Sequence, residues 1–404
     1  MPTRHEWQQP TSSAVSGYTQ RRANRDRVIA ALRRQGAMTR AALADVGLSR
    51  STVQSVIEEL VDTGTVVEMG PGTVSGIGRP PSLVGLRGDL GVTIGVEIAN
   101  WTIRVAVCNL AQELLMHTSA PSDDHADPVT VLGRTSALID EALAQTGFRR
   151  DQVIGVGIAL PGPIQRRTGL TGRACTLKPF VGLDGRKAAF DVLRLPVMVD
   201  NDANLAAIAE MTWGAGRGHR DLAYVYSATG IGAGFIFNSE LYAGANGTAG
   251  EIGHTTIDEN GLVCECGGRG CLNTLANPDA IIRNLKQSHG TELAIADVIA
   301  LAHGGDAGCR RVLADAGRHI GVAMANMYNL LDPELIVIGG SLAPAGAILI
   351  DPLRESMARR AIHAGEAIPQ VVAGHLDERV VVVGAAAAVL KDPVHFPLSE
   401  AGNR

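Results

Sequence analysis

The sequence predicts an α/β protein in two parts, an N-terminal winged helix-turn-helix followed by a larger two-lobed body. Three observations carry that expectation. Within the first 87 residues, three helical stripes are followed by a glycine and a short hairpin pattern. From Gly91 onward, short runs rich in Val, Ile and Ala alternate with helical stretches, the pattern of strands buried on both faces. Glycine-rich turns then fall at strand ends, where a cleft between two α/β lobes would form.

Size and charge set the frame. A chain of 404 residues, 46% hydrophobic and 19% charged, has room for two or three domains with sizeable cores. Its longest apolar runs are interrupted by Gly, Arg or Asp, which argues against a membrane span. Met1 to Gln20 is polar, lacks the apolar stretch of a secretory signal and is expected to be a disordered leader. With only six cysteines, a cytoplasmic location is expected. The net charge of −5 is unevenly placed: residues 1–87 carry eleven Lys/Arg against seven Asp/Glu, and the remainder is acidic. A basic front on an acidic body suits a nucleic-acid-binding module joined to a sensor or an enzyme.

Taken in order, the front end spans residues 21–87. Val28, Ile29 and Leu32 form an apolar stripe among arginines, predicting a first helix from Arg21. Thr39 is placed to cap a second helix through Asp45, and Gly47-Leu48 supplies a tight turn. Ser49 caps a third helix, Arg50 to Leu60, whose inward face is Val53, Val56, Ile57 and Leu60. Two helices joined by a short glycine turn form a helix-turn-helix. Thr65 to Met69 and Ser82 to Leu86 then read as the strands of a wing, with Gly78-Arg79-Pro80-Pro81 at its tip. The DNA-contacting candidates are Arg40, Arg50, Ser51, Thr52, Gln54, Ser55 and Arg79. Arg and Gln can read base edges in a major groove, Ser and Thr can hold phosphates, and Arg79 can enter a minor groove. The competing reading is a small helical bundle used for dimerisation.

The body is expected over residues 88–395, with 396–404 as a tail. Val92 to Ile98 and Ile103 to Val107 read as a hairpin; Gln152 to Leu160, Val197 to Val199 and Leu222 to Tyr226 read as further strands. Glu334 to Ile338 and the four valines Val380 to Val383 read as the second α/β stretch. The densest chemical signal lies between them: Cys264, Cys266 and Cys271 in one run, with His254 just upstream. Three thiolates and an imidazole are the ligand set of a closed structural zinc site. The glycines at 267, 268 and 270 suit a backbone wrapped round a metal, and a C-x-C pair is too tight for an easy disulfide. A chance cluster or a disulfide is the alternative.

Several motifs stand in a distinctive order: Leu160-Pro161-Gly162-Pro163, Asn201-Asp202-Ala203-Asn204, Thr229-Gly230-Ile231-Gly232-Ala233-Gly234, Tyr242-x-Gly244-Ala245-Asn246-Gly247, and Gly250-Glu251-Ile252-Gly253-His254 before the cysteine run. From about Gly91 to Leu390 the chain thereby resembles the ROK family of repressors, open reading frames and sugar kinases. The resemblance implies an actin-like ATPase fold of two lobes with a structural zinc site. It implies sugar-binding roles for Gly162, Asn201, Asp202, Glu251, His254 and Asn273, with Asp202 as the kinases' general base. The front end also matches the winged helix of the family's regulators, which ends in a Gly-Arg-Pro-Pro wing.

Departures from the kinase pattern shape the functional expectation. Where the family's kinases carry an Asp-x-Gly-Gly-Thr-Lys-like phosphate loop, this chain has Glu97-Ile98-Ala99-Asn100-Trp101-Thr102. A phosphate cradle needs close backbone approach, which Cβ atoms and an indole obstruct. Ala228 replaces a usual glycine, and Leu272-Asn273 stands where the kinases place a glutamate. The expectation is therefore a sugar-responsive DNA-binding regulator, a repressor by family precedent, with no catalytic residue beyond a vestigial Asp202 and with ATP binding unlikely. Its expected partners are operator DNA, a sugar or sugar-phosphate effector, and a second copy in a homodimer or dimer of dimers, with no membrane. The alternatives are an ATP-dependent sugar kinase with an appended DNA-binding domain, and a regulator whose body binds another protein.

Overall fold

The computed structural model describes residues 12–71, 82–123, 125–290, 293–362 and 369–398. The chain divides into two compact units. The smaller joins residues 1–92 to the turn Asn109–Glu113 and to the segment from Leu390 onward; the larger holds Thr93–Cys108 and Leu114–Val389.

In the smaller unit, α1 (Ser12–Gln35) leads to β1 (Met38–Thr39), α2 (Arg40–Ala44), α3 (Arg50–Asp62), β2 (Val66–Pro71) and β3 (Ser82–Leu86). The expected caps are in place: Thr39 accepts from the Ala42 amide and Ser49 from the Thr52 amide. Gly47 adopts φ +81° in the turn between α2 and α3, a conformation that costs a side chain dearly. Val53, Val56, Ile57 and Leu60 of α3 are buried with Val28, Leu32 and Leu43. The three-stranded sheet runs β1-β3-β2, with β1 antiparallel to β3, a pairing too short for the sequence to announce.

Two findings here differ from the sequence expectation. The first helix begins at Ser12, inside the stretch expected to be a leader, because the residues from Ser12 to Gln20 contain no proline to stop it. Arg79 lies outside the described residues. The C-terminal segment is a working part of the unit: Phe396 is only 4% exposed, and its carbonyl accepts from the buried guanidinium of Arg33 at 2.7 Å. Lys391 Nζ donates to the Arg34 carbonyl at 2.7 Å, so two successive residues of α1 are held by that segment.

The larger unit is built on two five-stranded sheets. The first contains β4 (Val92–Ile98), β5 (Thr102–Asn109), β6 (Leu114–Pro121), β7 (Val153–Leu160) and β10 (Val197–Asn201), ordered β10-β7-β4-β5-β6. Strand β6 was not anticipated from sequence; it pairs antiparallel with β5, and its side chains alternate between half-buried and exposed, an edge-strand pattern. A small β8 (Ile164–Gln165) and β9 (Leu170–Thr171) ribbon follows β7, and helices α4 (Pro128–Thr146) and α5 (Gly185–Leu193) flank the sheet's crossovers.

Helix α6 (Asp202–Trp213) leads into the second sheet, formed by β11 (Leu222–Ser227), β12 (Ile231–Phe237), β13 (Glu240–Leu241), β14 (Leu335–Gly340) and β15 (Gln370–Ala373), in the order β13-β12-β11-β14-β15. Strand β11 runs antiparallel to β12 and parallel to β14. Helices α7 (Asn273–Ala276), α8 (Pro278–His289), α9 (Ile295–His303), α10 (Ala307–Leu331) and α11 (Ala347–Ala358) build an apolar core on this sheet.

The valines Val380 to Val383, read as a strand, open a helix instead, α12 (Val380–Lys391). Burial overrides their β propensity. Every residue from Val380 to Leu390 except Gly384 is part of the buried apolar core, and glycines let neighbouring backbones close on the helix. A Cβ on Gly95 of β4 would lie 1.7 Å from the Val382 carbonyl oxygen, and one on Gly157 of β7 would lie 2.2 Å from that of Ala385.

Candidate functional site

Strand ends of both sheets converge on one cleft. Glu97 and Ile98 end β4, Pro161 and Gly162 follow β7, Asn201 ends β10, and the turn Ala228–Gly230 joins β11 to β12; all line it. This is the crevice at strand C-termini where open α/β sheets bind ligands. The empty space, counted to the open mouth, is about 720 Å³, within the ordinary range of small-molecule sites. All six residues expected at a sugar site, Gly162, Asn201, Asp202, Glu251, His254 and Asn273, line it.

Their local bonds sort them. Asn201 caps α6, its Oδ1 accepting from the amides of Ala203 (2.9 Å) and Asn204 (3.3 Å), while Nδ2 donates to the Gly162 carbonyl at 2.9 Å. Asn201 therefore ties the loop after β7 to the helix that presents Asp202. Beneath it, Asp200 is buried and its Oδ1 accepts from the Asn201 amide and from Asn204 Nδ2, both at 2.8 Å. Asn273 Oδ1 accepts from the Ile231 amide at 2.8 Å, which pins the β11–β12 turn. Gly253 is needed there, since a Cβ would stand 2.7 Å from that oxygen.

Asp202 is the first residue of α6, and its Oδ1 accepts from the Ala203 amide at 2.8 Å. Burial, then the nearby carboxylates of Glu97 and Glu251, push its carboxyl up to about 7 despite that amide bond. Burial pushes Glu251 up to about 7 as well. Glu97 is buried and raised for the same reason, with its Oε2 accepting from Arg104 at 2.7 Å.

Sequence reasoning did not single out Glu97, Asn100, Thr176 or Glu265 as ligand-facing, yet all four line the cleft. Glu265 was legible in principle, because it stands between two cysteines whose positions fix its own. Conversely, Trp101 was expected to obstruct the phosphate loop. Its side chain is 68% exposed and it does not line the cleft. Ala99 and Asn100 do line it, so the Cβ atoms that replace the two glycines face the cleft while the indole does not.

Beside the cleft, His254, Cys264, Cys266 and Cys271 bring four donor atoms within 4.8 Å of one another, a cluster that can hold a metal ion. His254 Nδ1 lies 3.6 Å from Cys264 Sγ, and Cys266 Sγ lies 3.7 Å from Cys271 Sγ. A tetrahedral zinc ion with ordinary bonds would separate such pairs by about 3.6 and about 3.8 Å, so these two pairs match that ion's spacing. The glycines of the run are required: a Cβ on Gly270 (φ +62°) would lie 1.5 Å from the Asp258 carbonyl oxygen. The other imidazole nitrogen, Nε2, lies 4.0 Å from Glu251 Oε2. One histidine thus spans metal cluster and cleft.

In the smaller unit, Arg50, Ser51, Gln54 and Ser55 are exposed along the outward face of α3, and Thr52 is half-buried. Gln54 Nε2 donates to Glu58 at 2.6 Å, and Arg40 is ion-paired with Glu68 of the wing.

A two-lobed α/β fold with this cleft and thiolate cluster defines a sugar-kinase-like body. The ROK family profile matches residues 93–392, and the chain belongs to the ROK family. It is 30% identical over 365 residues to the xylose repressor of Caldicellulosiruptor bescii, covering 87% of this chain and 91% of the relative. It is 32% identical over 315 residues to the glucokinase of Halalkalibacterium halodurans, covering 74% of this chain and 92% of that enzyme. The crystal structure of a ROK family transcriptional regulator, a homolog of E. coli Mlc, superposes with a TM-score of 0.76 at 24% identity, over 93% of this chain and 98% of that one. No helix among the described residues is long and apolar enough to cross a membrane.

Proposed function

We propose that the protein is a sugar-responsive DNA-binding transcriptional repressor. One observation carries this reading: a single chain joins a helix-turn-helix, with its recognition face exposed, to a cleft lined by hydroxyl-binding side chains. The repressor relative aligns over both parts, whereas the glucokinase relative aligns over less of the chain. Arg40, Arg50, Ser51, Thr52, Gln54, Ser55 and Arg79 face operator DNA, and a homodimer presents two such modules to paired half-sites. His254, Cys264, Cys266 and Cys271 hold a structural zinc ion, which fixes the ring that faces Glu251.

The cleft's charge selects the effector. Glu97, Asp202, Glu251 and Glu265 line it and, among the described residues, no Lys or Arg does. Arg104, beneath it, is committed to Glu97. A phosphate group would meet carboxylates without a cation to pair with, at a cost in desolvation and repulsion. The effector is a neutral sugar whose hydroxyls donate to these oxygens. Bound sugar shifts the protein between operator-binding and released states only by its differential affinity for the two.

The test is selective enrichment of DNA by the purified protein, repeated with neutral sugars and with their phosphate esters. Release of the enriched DNA by a neutral sugar alone is expected, and release by phosphate esters alone would refute the charge argument. A second reading, a sugar kinase with an appended DNA-binding domain, is favoured by Asp202, which lies in the cleft with the proton affinity of a competent base. ATP-dependent phosphorylation of a hexose, abolished by Asp202→Asn, would establish it.

A further inference from the structure

Away from the cleft, three side chains of metal-binding type meet where α8 ends and α10 begins. His289 is the last residue of α8, Asp306 caps α10 and Cys309 lies in its first turn. His289 Nε2 lies 3.2 Å from Asp306 Oδ2 and 3.9 Å from Cys309 Sγ. The two carboxylate oxygens divide their work: Oδ1 accepts from the Cys309 amide at 2.8 Å as a helix cap, leaving Oδ2 to face the imidazole.

Ser288 Oγ lies 3.2 Å from the Leu285 carbonyl oxygen and 2.7 Å from His289 Nδ1, so one ring nitrogen is held by a hydroxyl and Nε2 is left facing the carboxylate oxygen and the sulfur. The three donor atoms lie within 4.8 Å of one another, a spacing that can hold a metal ion. A hydrogen bond at one ring nitrogen, orienting the other, is the usual support of a metal-bound histidine.

We propose that His289, Asp306 and Cys309 form a second metal site, separate from the four-ligand cluster, that binds a divalent transition-metal ion of the zinc type. A tetrahedral ion would set nitrogen and oxygen about 3.3 Å apart and nitrogen and sulfur about 3.6 Å apart, within a few tenths of an ångström of the two distances His289 Nε2 makes. The mixed nitrogen, oxygen and sulfur set suits zinc rather than magnesium or calcium. Cys309 is fully buried, whereas the His289 and Asp306 side chains are 21% and 33% exposed, so a fourth, water ligand enters from the open side. Gly308 keeps the ring in place, because a Cβ there would stand 3.1 Å from His289 Cε1. The ion ties the end of α8 to the start of the long helix α10, a staple in the core of the second sheet's lobe.

The full-length protein, stripped by chelator and reloaded with excess zinc, is desalted and its metal counted by elemental analysis. Two ions per chain are expected, falling to one in His289→Gln. With cobalt in place of zinc, the thiolate-to-metal absorption should lose the share of one sulfur in four in that variant. Ser288→Ala keeps all three ligands and should weaken the second ion's affinity by about 10- to 100-fold, read by competition with a chromophoric chelator. A single ion in the wild type, or a count of two that His289→Gln leaves unchanged, would overturn the site and reduce the three side chains to a hydrogen-bonded helix cap. Loss of the four-ligand cluster's metal would leave this count interpretable, since the second ion is scored by its dependence on His289 alone.

Discussion

Replacing Asp202 by Asn should stabilise the protein, and do so increasingly as pH rises. The side chain keeps its size, and the amide oxygen can still accept from the Ala203 amide. What the change removes is a carboxyl whose proton affinity has moved from the ordinary 3.8 to about 7. Because the folded state holds that proton more tightly than the unfolded chain, stability falls as pH rises between these values and the full penalty is present above pH 7. At about 1.4 kcal/mol per tenfold change in proton affinity, the penalty reaches about 4 kcal/mol as an upper bound. Asp202 is half-buried and opens on a solvent-filled cleft, and screening there reduces the expected gain to about 2–3 kcal/mol. Urea unfolding of both proteins at pH 5, 6, 7 and 8 measures it. The variant's advantage should already be about 1–2 kcal/mol at pH 5, grow toward pH 7 and then level off, while sugar affinity falls. An advantage that is the same at every pH would mean that Asp202 titrates as an ordinary surface carboxylate. The claim that burial raises its proton affinity would then fail.

Three shorter predictions follow the same logic. Arg50→Ala should weaken operator binding by about 1–3 kcal/mol with loss of discrimination at one base pair; gel-shift titration against operator variants checks it. Phe396→Ala should cost about 3–5 kcal/mol as a buried aromatic truncation, visible as early proteolysis of the smaller unit and as weakened operator affinity. Cys266→Ser should lower the four-ligand cluster's metal affinity and blunt the sugar response, because His254 loses its fixed orientation; metal analysis and sugar-dependent DNA release are read together.

How much of this was legible depended on whether a residue's neighbours in sequence were also its neighbours in space. The helix-turn-helix was readable because Thr39, Gly47 and Ser49 act within a few residues of themselves. The cysteine run was readable for the same reason, its geometry being set by Gly267, Gly268 and Gly270. The valines of α12 were misread because their conformation is decided by Gly95, Gly157 and the backbones they admit, hundreds of residues away. Phe396 looked like tail for a similar reason: its partner Arg33 is 363 positions distant. The cleft was legible as a set of motifs, yet the bonds that separate Asn201 and Asn273, which hold loops, from Asp202 and Glu251, which line the cleft without bracing a loop, needed the fold.

That separation bears on how a kinase-like cleft serves as a sensor. The sugar half keeps its residues: burial raises the carboxyls of Asp202 and Glu251 to about 7, and His254 faces Glu251 from the cysteine cluster. The phosphate half does not. Glu97, where the family's kinases hold an aspartate, spends its carboxylate on Arg104, and Ala99 and Asn100 occupy space a phosphate loop leaves to glycine. Phosphoryl transfer is almost wholly positioning and charge stabilisation of the phosphates, so on the proposed repressor reading the changes in that half would remove catalysis while leaving sugar recognition intact. On that reading a hydroxyl donated to Asp202 would have no phosphate to attack, and the binding energy it releases would be available to shift the protein between DNA-binding states.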